Sequence, residues 1–108
     1  MEYLEEYDET CQALTQNIEK WFHDAKKAEK GDTERLELFK TIQSKMDDLK
    51  DTLTYFKSDL YLVPRTKEGE FRRKYDAYME KLSKYELASK KLELVLNNDT
   101  AGLRQLKN

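Results

Sequence analysis

Residues 71–96 read FRRKYDAYMEKLSKYELASKKLELVL. Within them Phe71, Tyr75, Tyr78, Leu82 and Tyr85 follow one another at steps of four and three residues. That alternation puts all five on one stripe of an α-helix. Ser89, Leu92 and Leu96 continue the stripe, and Ala88 and Val95 add apolar area beside the serine. Lys, Arg, Asp and Glu dominate the positions between. Such a stretch has two readings. It is the buried seam of a packed helix, or it is a basic, tyrosine-rich surface for a nucleic acid or a membrane.

The rest of the chain carries the same alternation twice more. Over residues 2–29 it runs Leu4, Tyr7, Cys11, Leu14, Ile18, Trp21, Ala25 and Ala28. Over residues 33–62 it runs Phe39, Ile42, Met46, Leu49, Leu53, Phe56 and Leu60, with Val63 just beyond and Leu36 and Leu38 widening its start. Lys30-Gly31-Asp32 separates the first two segments: glycine can end a helix in the left-handed region, and aspartate can cap the next. Pro64 stops the second segment, because the residue before proline avoids the helical region. Thr66 is a candidate cap for the third, and Asn97-Asn98-Asp99 a stop.

Three amphipathic rods of about 40 Å each at 1.5 Å per residue, joined by short links, predict an all-α fold. The expected architecture is an antiparallel, up-down-up three-helix bundle over residues 1–97, with helices at 2–29, 33–62 and 67–96. Residues 98–108 are read as a linker or a short helical tail. Three matching seams favour the core reading of 71–96. Tyrosine suits a core edge, where the ring is buried and the hydroxyl reaches water.

Composition agrees. The 108 residues are 39% charged and 38% hydrophobic, with three glycines and one proline, which favours long helices over sheets. Twenty Lys and Arg against 22 Asp and Glu leave no bulk basic excess, and so no general drive toward nucleic acid. The one cysteine excludes an internal disulfide framework and suits a reducing compartment. The acidic start MEYLEEYDE lacks the apolar stretch of a signal peptide, and no run of residues is apolar enough to span a bilayer.

Chemistry-bearing patterns are missing. His23 is the sole histidine, without the second Glu-x-x-His that a di-iron bundle uses, and is read as a surface residue. Cys11 lies on the first seam and is read as a small core residue. Asp47 and Asp48 point away from their seam. No phosphate-binding glycine loop or metalloprotease motif occurs. The expectation is a non-enzyme with no cofactor and no metal.

Two features remain for function. Charge segregates: acids crowd residues 1–24, whereas bases exceed acids over 65–91. Lys67, Lys74 and Lys81 repeat every seven residues along one edge. Either that edge lies beside the acidic first helix, each pair contributing about 0.2–1 kcal/mol, or it recruits acidic lipid or an acidic partner. The second feature is apolar residues off the seams. Leu87 and Leu94 lie seven apart on the third helix, and Tyr55 and Leu62 on the second. Exposed apolar pairs on a helix rim suggest a surface for a partner. Leu87, Leu94, Tyr55, Leu62, Lys74 and Lys81 are therefore the candidate partner-binding residues, with the lysines steering association.

Three stretches, YLEEYDETCQALTQNIEKW, KMDDLKDTLTYFKSDLYLVP and FRRKYDAYMEKLSKYELASKKL, resemble the N-terminal Habc-like domain of Qb-type vesicle-trafficking SNARE proteins. The resemblance covers residues 3–96. It implies a non-catalytic, monomeric protein-interaction domain at the cytosolic face of Golgi, endosomal or vacuolar membranes. Its partners would be ENTH-type sorting adaptors, tethers or other SNAREs. It also implies a parent protein that continues into a SNARE helix and a membrane anchor. No family residue roles transfer by position. The alternative is a spectrin-like or coiled-coil structural spacer.

Overall fold

The structure, a computed structural model, describes residues 2–26 and 32–97. They form three helices: α1 over Glu2–Ala25, α2 over Asp32–Leu60 and α3 over Arg65–Asn97. Side-chain pairs fix their directions. Asp8 of α1 meets Lys74 and Tyr78, and Glu19 meets Lys81 and Tyr85, so α1 and α3 run the same way. Phe56 of α2 packs on Phe71 and Tyr75, whereas Lys50 pairs with Glu86 and Gln43 reaches Ser89. Rising numbers in α2 meet falling numbers in α3, so those two are antiparallel. The fold is the expected all-α, up-down-up three-helix bundle. Its longest dimension, 57 Å, is set by α3, whose 33 residues span about 50 Å.

The α2 seam is buried from Ile42 to Leu60, with Met46, Leu49, Leu53 and Phe56 between them in the core, whereas its ends, Phe39 and Val63, are half-buried. Phe56 is its centre. Wholly enclosed, it lies against the rings of Tyr7, Phe71, Tyr75 and Tyr78 at centroid separations of 5.8–6.4 Å. Tilted and edge-on pairs of this kind contribute about 0.5–1.5 kcal/mol each beyond area burial. From α3 come Phe71, Tyr78, Leu82, Tyr85 and Leu96. Ser89 is buried with them and accepts a 2.8 Å hydrogen bond from the Gln43 amide, which satisfies the one polar position of that seam. Val95 is exposed at a cleft and does not supplement the core beside Ser89 as expected, whereas Ala88 packs against that core.

In α1 the central line is Leu4, Cys11, Ile18 and Ala25, as expected, but the flanks are unequal. Tyr7, Leu14 and Trp21 are half-buried, and Tyr7 stacks on Tyr55 of α2. Asp8, Thr15 and Phe22, again seven apart, are buried and meet α3: Asp8 with Tyr78, Thr15 with Tyr85, Phe22 with the Tyr85 ring at 6.2 Å. Phe22, not Trp21, is thus the deeper ring. A rod with two neighbours needs two flanks, and a single 3-4 line names only one.

Helix ends depart from the sequence reading. Among the described residues α1 stops at Ala25, where the Lys26 N–H donates to the His23 carbonyl at 3.2 Å in a turn. Ala28 and Gly31 fall outside the described residues, as do 98–108. The second helix ends at Leu60 rather than 62, and the Leu62 N–H closes a turn on the Asp59 carbonyl at 3.0 Å. The third begins at Arg65, two residues early. The Pro64 carbonyl accepts from the N–H groups of Lys67 (2.9 Å) and Glu68 (3.0 Å), so Pro64 precedes the first helical residue and Thr66 lies inside the first turn. Proline fits there because its preset φ continues into a helix and it has no N–H to satisfy.

Candidate functional site

The lysine edge of α3 meets the acidic first helix. Lys74 donates to the Asp8 carboxylate at 2.9 Å, and Lys81 approaches Glu19 at 3.3 Å. A tyrosine four residues on completes each contact: Tyr78 donates to Asp8 and Tyr85 to Glu19. The motif Lys-x-x-x-Tyr, repeated at seven residues, therefore clamps two acids of α1. At the first clamp the acid is buried and Lys74 is partly covered. There the Asp8 hydrogen bond chiefly raises the Lys74 pKa. The second is at the rim. The Tyr85 hydrogen bond, with Lys81 adding to it, holds the Glu19 carboxyl below its usual range. Burial first, and the neighbouring carboxylate second, push both tyrosine hydroxyls well above theirs. Lys74 and Lys81 thus fasten α1 to α3. Steering by these two, as expected from the sequence, would compete with internal partners at 2.9 and 3.3 Å.

The off-seam apolar residues are in fact exposed: Leu87 is 57%, Leu94 61%, Tyr55 60% and Leu62 79% accessible. They occupy opposite ends of the bundle. Tyr55 and Leu62 lie at the end that carries Tyr3 and Tyr61, also exposed. Tyr55 stacks on Tyr7 at 6.3 Å, which holds that ring against α1.

Leu87 and Leu94 part company. Leu87 lines a cleft of about 460 Å³ at the other end, whereas Leu94 does not. The cleft lies where Phe22, Ala25 and Lys26 at the end of α1 and Arg35 of α2 face the last turns of α3. Ala25 and Phe22 form one wall, and Leu87, Ala88, Leu92 and Val95 form the floor along α3. Among the described residues its charged lining is basic: Lys26 just past α1, Arg35 near the start of α2, and Lys84 and Lys91 from α3. Lys84 also sits 3.7 Å from Glu80, in a largely exposed i,i+4 pair of small consequence. The sequence reading found Leu87 but not Val95, Phe22 or the basic rim. Lys84 and Lys91, seven apart beside Leu87, were the signal available. The wall was hidden, since Phe22 lies off the 3-4 line of α1 and Ala25 reads as an ordinary seam residue.

Cys11 is enclosed, and burial, with Asp8 nearby, pushes its thiol up to about 12, so little thiolate forms near neutral pH. His23 is exposed on α1. Among the described residues no group of three or more His, Cys, Asp or Glu could hold a metal ion, and no helix is long and apolar enough to cross a membrane. Comparison with known proteins gives no match, whether to a family, to a curated protein or to a solved structure.

Proposed function

We propose that the chain is a non-catalytic protein-interaction domain of the Habc kind, serving a SNARE in intracellular vesicle trafficking and docking sorting adaptors or tethers. The observation that carries the reading is the contrast between a closed core and the apolar residues left outside it on α3, Leu87, Leu94 and Val95. Soluble rods normally present charged residues on such a face, and uncovered apolar groups on a helix rim are a common basis for partner binding. The resemblance of three stretches to SNARE N-terminal domains supplies the class of partner and the cytosolic membrane face as the setting.

The test uses the whole 108-residue chain, immobilised, with cytosolic extract. The expected result is capture of adaptors, tethers or SNAREs, lost with Leu94→Asp or Leu87→Asp while circular dichroism and melting stay at wild-type values. An unchanged set of bound proteins sinks the proposal, and unfolding of both variants places these leucines in the core. A structural spacer gives a different result again. It sediments as an elongated, concentration-dependent dimer, whereas an interaction domain sediments as a monomer.

A further inference from the structure

We propose that the cleft between the end of α1 and the last turns of α3 is the docking groove, and that its occupant is an acidic amphipathic helix from a partner protein. The inference rests on the interaction-domain reading and adds to it the site and the chemistry of the ligand.

Three properties of the cleft select that occupant. The first is shape. A flat membrane surface would engage convex apolar residues, whereas here Leu87, Ala88, Leu92 and Val95 form a floor walled by Phe22 and Ala25. The second is length. From Leu87 to Val95 the floor extends eight residues along α3, about 12 Å at 1.5 Å per residue. A docked helix that anchors through positions i, i+3 or i+4, and i+7 needs about 10.5 Å, so three apolar anchors fit.

The third is charge. Acids outnumber bases in the chain, 22 to 20, yet among the described residues every charged one lining the cleft is basic. Lys26 just past α1, Arg35 of α2, and Lys84 and Lys91 of α3 line the cleft together with its apolar residues. A helix with an apolar stripe flanked by Asp and Glu is complementary to that pattern, and a basic amphipathic helix is repelled by it. The chain's own residues 98–108 are a poor occupant on the same ground, since they contain Arg104 and Lys107 against a single acid, Asp99. The acidic helix of this chain, α1, already buries its apolar stripe in the bundle.

The experiment employs two helix-stabilised 15-residue peptides with the same leucine stripe, one flanked by Glu and one by Lys. Each is titrated into the isotope-labelled 108-residue chain and followed by amide shifts and by fluorescence anisotropy. The Glu peptide should saturate and shift Ala25, Leu87, Ala88, Leu92 and Val95. The Lys peptide should bind at least tenfold more weakly. Leu87→Asp, and separately Lys84→Glu with Lys91→Glu, should each reduce affinity for the Glu peptide tenfold or more without altering the melting temperature.

Equal binding of the two peptides, shifts elsewhere on the bundle, or variants that bind as wild type would overturn the proposal. So would phosphatidylserine vesicles that engage these residues more tightly than the Glu peptide, which would make the cleft a lipid site. If the Glu peptide fails while extract capture still depends on Leu94, the interaction-domain reading stands and the groove assignment alone is lost.

Discussion

Replacing Asp8 with alanine tests how α1 is fastened to α3. The carboxylate is buried, and it accepts from the Tyr78 hydroxyl and from the Lys74 ammonium at 2.9 Å. Net, a hydrogen bond to a charged group contributes about 1.5–3 kcal/mol. The lysine part is discounted to about 1 kcal/mol or less, because its side chain is 38% exposed. Part of the tyrosine loss is recovered, since the Asp8 carbonyl lies 3.3 Å from the same hydroxyl. Removing a buried carboxylate also relieves its desolvation. The expected net cost is about 2 kcal/mol. With a urea dependence of about 1–3 kcal/mol per molar, the unfolding midpoint falls by about 1 M. Glu19→Ala, at the half-exposed clamp, should cost less than about 1 kcal/mol. A cycle with Tyr78→Phe should give a coupling energy of about 1 kcal/mol or more. An Asp8→Ala midpoint equal to wild type, or additive effects in that cycle, would refute the clamp.

Other outcomes follow from the same geometry. Phe56→Ala removes a wholly enclosed ring that touches four others and should cost about 3–5 kcal/mol, read as a fall in the urea midpoint. Tyr78 and Tyr85 have hydroxyl pKa values raised in the fold. Their contribution is therefore present below about pH 10, the ordinary tyrosine value, and is lost as pH rises above it. Melting temperature measured from pH 8 to 11 should hold and then fall, and Tyr78→Phe should lessen the fall. Glu19 has the opposite sign: its lowered pKa gives stability that is present above the ordinary glutamate range and lost as pH drops below it. Melting between pH 6 and 3 should show a smaller acid loss for Glu19→Gln than for wild type. The Cys11 thiol, pushed up to about 12 and enclosed, should stay unmodified by an aromatic disulfide reagent at pH 8 until urea unfolds the chain.

Much of the fold was readable because the 3-4 alternation is unbroken where it matters. On α2 the line from Ile42 to Leu60 matched the core residue for residue. On α1 the periodic signal gave the central line and missed the flank toward α3, because two of its three members, Asp8 and Thr15, are polar and make no mark in an apolar pattern. Their burial depends on Tyr78 and Tyr85 arriving opposite them, which is a tertiary fact. The attraction between the acidic first helix and the lysine edge was legible as a charge asymmetry, but not the tyrosines that complete it. For the candidate site, Leu87, Leu94, Tyr55 and Leu62 were legible as apolar residues off the seam. The cleft was not, since it brings together Phe22, Ala25 and Arg35 from other helices with Leu87 and Val95, a tertiary juxtaposition that a heptad line does not register.

One shared core for the three rods is the central claim, and native-state hydrogen exchange tests it most directly. The account predicts that amides of Cys11, Ile18, Leu49, Leu53, Phe56 and Leu82 open together, with one free energy equal to that of global unfolding, at both low and high protein concentration. Protection of α2 and α3 with α1 exchanging as an independent helix, or protection that rises with concentration as in an intermolecular coiled coil, would contradict it.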